Sequence, residues 1–187
     1  MISHELISRR VNPAISEYIV NLWGRISYVW SYDTACPKPE YRPIPQDSSS
    51  SLGQCGPANY MLARGLSYRF PETNPRMVIY GKVRLAIGGV AIRDHGWALF
   101  DAGAQNVVGD VALGQLDMPG QRSWDIVCVM PESELAEKGV YFEGGREYSL
   151  DELWEHYNTD PLCREYEFAE RIWLLEHRLV EEFSIPV

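Results

Sequence analysis

The chain has 187 residues, 45% hydrophobic and 23% charged, with a formal net charge of -9. That is the size and composition of one soluble globular domain with room for a proper core. No cluster of lysine or arginine interrupts the acidity, which argues against nucleic acid or an anionic membrane surface as partner. The opening MISHELISRRVNPAISEYIV lacks the basic-then-apolar order of a signal peptide. No apolar run approaches the roughly 20 residues of a membrane span. A cytoplasmic protein is expected, with its four cysteines (Cys36, Cys55, Cys128, Cys163) as free thiols.

Residues 13–30, after a frayed start that includes His4, carry Ile15, Tyr18, Ile19, Leu22, Trp23, Ile26 and Trp30 at helical spacing behind Pro13. The next stretch, DTACPKPEYRPIPQDSSSS, holds four prolines and four serines and reads as a long irregular loop ending near Cys55. Loops of that length are often functional. A second helix follows from Gly56, with Pro57 in its first turn and Ala58, Met61, Leu62 and Leu66 as its apolar stripe.

Five short strand-like runs come next: RMVIYGKVRLAI, GVAIRD, GWALFD, NVVGDVAL and WDIVCVM. The tight turn signals between them, GG at 88–89 and DAG at 101–103, predict antiparallel pairing. ESELAEKG reads as a short helix stopped by Gly139, and VYFEGGREYS as a hairpin around Gly144-Gly145. Ser149 and Glu152 match a capping box. A long last helix is expected from Asp160-Pro161 through Phe183, packed through Leu162, Tyr166, Ala169, Trp173 and Val180, with a solvated acidic face. The order predicts a single α+β domain over residues 1–187, with a C-terminal helical extension over about 149–187.

Cys55 is the cysteine whose neighbourhood suggests chemistry. It sits immediately before a helix, where unpaired N–H groups and the positive dipole end favour thiolate, the nucleophilic form. Cys128, in DIVCVM, and Cys163, in a helical stretch, read as core packing. A thiol nucleophile needs a base. His156 and His177 fall in acidic helical segments and read as solvated or packed, which leaves His95, expected at the start of a strand. Among Asp94, Asp101, Asp110 and Asp117, the first choice to orient the imidazole is Asp110, brought back beside His95 by a hairpin; Asp101 is the second. No paired metal-ligand motif and no phosphate loop is present, so neither metal nor cofactor is expected.

The order GQCGPANYML, HGWALF, VVGDVALGQL resembles the papain-like and transglutaminase-like cysteine superfamily, and its tail is similar to the small bacterial YunG-type proteins. The resemblance implies a papain-like antiparallel sheet packed against a nucleophile-bearing helix. It implies Cys55 as nucleophile, His95 as general acid and base and Asp110 as orienter. Gln54 becomes a candidate oxyanion donor if the loop turns its side chain back, and Trp97 a packing or substrate-binding neighbour of the histidine. The implied activity is a cysteine-dependent hydrolase or acyl transferase acting on a peptide or small amide. The alternative is a non-catalytic binding or assembly protein that keeps the fold.

Overall fold

The computed structural model describes residues 5–34, 54–86, 91–113 and 127–184. Most of the proline- and serine-rich loop, the Gly88-Gly89 turn, Cys36, Tyr41, Asp117 and Trp124 lie outside them.

The first helix, α1 (Pro13–Val29), starts where the Asn12 side chain accepts a hydrogen bond from the Ala14 N–H at 3.0 Å, and buries Ile15, Ile19, Leu22 and Ile26. The second, α2 (Cys55–Arg69), begins on the candidate cysteine itself. Ten of its fifteen residues are buried, so it runs through the interior rather than over it. Six strands form one sheet: β1 (Glu5–Ile7), β2 (Arg76–Leu85), β3 (Ala91–Ala102), β4 (Gln105–Asp110), β5 (Val127–Pro131) and β6 (Val140–Tyr148). Their order is β1-β5-β4-β3-β2-β6. A short helix, α3 (Glu132–Glu137), joins β5 to β6, and α4 (Leu150–Thr159), α5 (Pro161–Glu165) and α6 (Phe168–Phe183) complete the chain.

Period-two alternation sends neighbouring strand residues into two cores. Met77, Ile79, Ala98, Phe100 and Val107 meet α1, α2, α4 and α6. Val78, Trp97, Leu99, Val108 and Met130 fill the opposite face with Leu135 of α3. Buried Leu153, Tyr157, Ile172, Leu175 and Leu179 make the stretch from 149 onward part of the main core. The Ser149–Glu152 capping box opens α4 as expected. No described helix is long and apolar enough to cross a membrane.

Several expectations are corrected. The sheet is mixed, because β1, three residues too short to show periodicity, pairs parallel to β5. GVAIRD and GWALFD are one strand, continuous through Asp94 at φ 56°, so His95 lies inside β3 and not at its start. VYFEGGREYS is also one strand. Its glycines sit at φ 66° and 86° against β2, where a Cβ on Gly145 would lie 2.6 Å from Val78 Cγ1. The long last helix is broken by Glu167, which takes a left-handed conformation at φ 55°. That break changes the packed face: Ile172, Leu175 and Leu179 point inward, while Leu162 and Trp173 are more than 60% exposed.

This assignment predicts that Leu175→Ala lowers the unfolding free energy by about 2–5 kcal/mol. Trp173→Ala, which removes an exposed ring stacked on exposed His177, should change it by no more than about 0.5 kcal/mol. Urea denaturation of the two variants checks the pair.

Candidate functional site

Three of the residues singled out from sequence meet where the N-terminus of α2 crosses the sheet. His95 and Asp110, on adjacent strands β3 and β4, are fully buried, and His95 Nε2 lies 2.6 Å from Asp110 Oδ2. Since a carboxylate only accepts, this bond places a proton on Nε2 and leaves Nδ1 for other work. Nδ1 is buried, and with Nε2 held by Asp110 it is the ring nitrogen left to the Cys55 sulfur. Cys55, partly exposed as the first residue of α2, interacts with the imidazole and with the Gly96 N–H.

The electrostatics of the three groups are opposed and coupled. Burial alone pushes the Cys55 thiol up, but the hydrogen bond and charge of His95, helped by the Gly96 N–H, outweigh it and hold the pKa below its ordinary value. Burial alone pushes His95 down. The Asp110 charge and hydrogen bond, with the Cys55 sulfur, outweigh that and lift it to about 10. The direction in both cases favours a thiolate beside an imidazolium. Cys128, buried and beside the Asp110 charge, is driven the other way, well above the ordinary thiol range.

Asn59 is the site residue that sequence reasoning missed. It stands four positions after Cys55 on the same helix, so the two side chains share a face one turn apart. Its Nδ2 donates to Gly96 O at 2.7 Å and to Asp110 Oδ1 at 2.8 Å, and its Oδ1 accepts from the Val111 N–H at 2.9 Å. Asp110 Oδ1 also accepts from the Ala112 N–H at 2.9 Å. A polar residue inside the otherwise apolar ANYML stripe was the available signal.

The remaining candidates are placed elsewhere or differently. Gln54 is turned inward rather than toward the sulfur: Nε2 donates to Ser31 O at 2.9 Å and Oε1 accepts from Thr34 Oγ1 at 3.1 Å. Its amide pins the end of α1 to the start of α2. The N–H groups of Cys55 and Gly56, which have no intrahelical acceptor in a first turn, are the oxyanion donors that the helix itself offers. Trp97 lies beside His95 with ring centroids 6.3 Å apart, over Gly81, where a Cβ would come within 2.2 Å of the indole. Asp101 is six residues further along β3, about 20 Å at strand spacing, and is ion-paired to Arg76 at 3.0 Å.

A second cluster joins residues that the sequence suggests are solvated or packed (His156), helix-opening (Asp160) and core (Cys163). His156, Asp160 and Cys163 bring one potential ligand atom each within 4.8 Å of one another at the α4–α5 junction. The spacing H-x-x-x-D-x-x-C was the signal, obscured by the proline between the last two residues.

No family model matches this chain, and no curated protein or solved structure is significantly similar to it.

The Asp110 charge and hydrogen bond are the main support of the raised His95 pKa against burial. Asp110→Asn is therefore expected to lower the His95 pKa from its value of about 10. Imidazole NMR resonances followed against pH in wild type and Asp110→Asn, with circular dichroism confirming the fold, check the direction.

Proposed function

We propose that the chain is a cysteine-dependent hydrolase or acyl transferase of papain-like or transglutaminase-like type, acting on an amide or ester carbonyl. The observation that carries this reading is the imidazole of His95: fixed at Nε2 by Asp110, fully buried, and with Nδ1 left to the Cys55 thiol at a helix N-terminus.

In this reading the Cys55 thiolate attacks the carbonyl carbon and the oxygen takes up the negative charge. The N–H groups of Cys55 and Gly56, with the α2 dipole, stabilise that charge. Collapse of the tetrahedral adduct breaks the bond to the leaving group, which takes the proton from His95 Nδ1. The acyl group remains on Cys55 as a thioester. Water, or an amine in a transferase, then attacks while Nδ1 accepts its proton, and the thiolate is released. Asp110 holds the tautomer throughout, through its hydrogen bond to Nε2. Peptide, isopeptide and glutamine carbonyls all fit this chemistry.

The alternative, a non-catalytic binding or assembly protein, has one observation in its favour. The complete burial of His95 and Asp110 also suits a polar core whose task is to hold α2 on the sheet.

Alkylation separates the two readings. Iodoacetamide at pH 6 should label Cys55 in the native protein while Cys128 and Cys163 stay unlabelled, as read by peptide mass spectrometry. His95→Ala should slow Cys55 labelling at pH 6 roughly tenfold or more, because a free thiol of pKa about 8.5 is almost wholly protonated there. p-Nitrophenyl acetate should then give a burst of one p-nitrophenolate per chain and an acetyl thioester on Cys55. A Cys55 that stays inert until unfolding favours the binding protein.

A further inference from the structure

The second cluster sits where the helix pair α4–α5 meets the irregular part of β2. Register between β2 and β3 shifts on both sides of Gly81, the first shift spanning Tyr80, and Tyr80 itself has φ 62°, a conformation costly for a bulky residue. The bulge brings the phenol to the α4–α5 junction. There Tyr80 Oη lies 3.1 Å from His156 Nε2 and 3.6 Å from Cys163 Sγ, and Sγ lies 3.7 Å from Nε2.

These separations have a specific meaning for oxygen, nitrogen and sulfur donors. A tetrahedral zinc, with bonds of about 2.0–2.2 Å to nitrogen or oxygen and about 2.3 Å to sulfur, sets its donors about 3.3–3.6 Å apart. The triangle made by Tyr80, His156 and Cys163 is close to one face of such a tetrahedron. Asp160 supplies a carboxylate oxygen within 4.8 Å of the nitrogen and sulfur donors, the fourth candidate ligand.

We infer that Tyr80 Oη, His156 Nε2, Asp160 and Cys163 Sγ form a zinc-class metal site that fastens the β2 bulge to the α4–α5 junction, separate from the Cys55 site.

The supporting features are those a metal site requires beyond its ligands. The His156 ring is stacked on Tyr148 at 5.2 Å, which fixes its plane, and Asp160 Oδ1 accepts the Leu162 and Cys163 N–H groups at 2.9 and 3.1 Å, which fixes the carboxylate. An open cavity of about 310 Å³, lined by Glu152, Glu155 and Thr159 among others, reaches His156 from solvent and gives the ion an approach. Charge also balances. On binding, Cys163 releases its thiol proton to solvent and, with the Asp160 carboxylate, neutralises a divalent ion, while His156 Nε2 and Tyr80 Oη offer lone pairs. The mixed sulfur, nitrogen and oxygen set selects zinc over magnesium or calcium, which demand oxygen.

The test is titration of chelator-treated, full-length protein with zinc chloride by calorimetry, in wild type, Cys55→Ala, Cys163→Ser and His156→Gln, with circular dichroism confirming each fold. One zinc per chain is expected in wild type and Cys55→Ala, with affinity reduced at least 100-fold in Cys163→Ser and His156→Gln. Cobalt(II) substituted at the site should show tetrahedral visible bands and a thiolate charge-transfer band, both lost in Cys163→Ser. If Cys163→Ser does not fold, His156→Gln carries the same comparison. Absence of zinc binding in wild type overturns the assignment. So does binding that disappears in Cys55→Ala and persists in His156→Gln.

Discussion

The arrangement depends on one buried polar knot, in which Asn59 of α2, His95 of β3 and Asp110 of β4 satisfy one another inside an apolar core. A buried carboxylate with no partners is costly, and Asp110 has three: His95 Nε2, Asn59 Nδ2 and the Ala112 N–H. Asn59 in turn ties α2 to the Gly96 carbonyl and the Val111 amide. The knot therefore sets both the height and the rotation of α2 over the sheet. With Asn59 fixed, Cys55 one turn earlier has no freedom to move away from His95. Preorganisation of the sulfur and the stability of the helix–sheet packing are thus the same set of hydrogen bonds.

A second constraint is the irregularity shared by β2 and β3. Asp94 at φ 56° and Tyr80 at φ 62° flank the position where Gly81 pairs with His95. Only glycine fits there, because the Trp97 indole lies where a Cβ would be. Trp97 in turn packs edge-on against Phe142 of β6 at 5.0 Å. The same bulge thereby walls the histidine on one side and delivers Tyr80 to the α4–α5 junction on the other. Bulges re-aim side chains in this way at modest cost in strand pairing.

Local pattern was sufficient for much of this. The apolar spacing of α1, the proline-tolerant first turn of α2, the capping box at Ser149 and the DAG turn are short-range features whose physics is contained in a few neighbouring residues. Where the reading failed, distant partners were responsible. Gly144-Gly145 signalled a turn, yet β2 lies along the whole of β6 and holds those glycines in an extended strand with left-handed twists. The apolar face assigned to the last helix assumed a continuous helical phase. Glu167 breaks that phase, and Ile172, Leu175 and Leu179 become the residues that reach the core.

What the sequence alone determined was the chemical inventory and its order: a thiol opening a helix, a histidine and an aspartate on the two strands of one hairpin, and tight turns requiring antiparallel neighbours. Tertiary structure decided which atoms meet. It turned Gln54 onto Ser31 and Thr34, sent Asp101 to Arg76, recruited Asn59, and gathered Tyr80, His156, Asp160 and Cys163 from segments up to 83 positions apart. The reason is physical. Propensity and periodicity act over one or two turns of chain, whereas a buried polar group takes whichever partner the packed core places within about 3 Å.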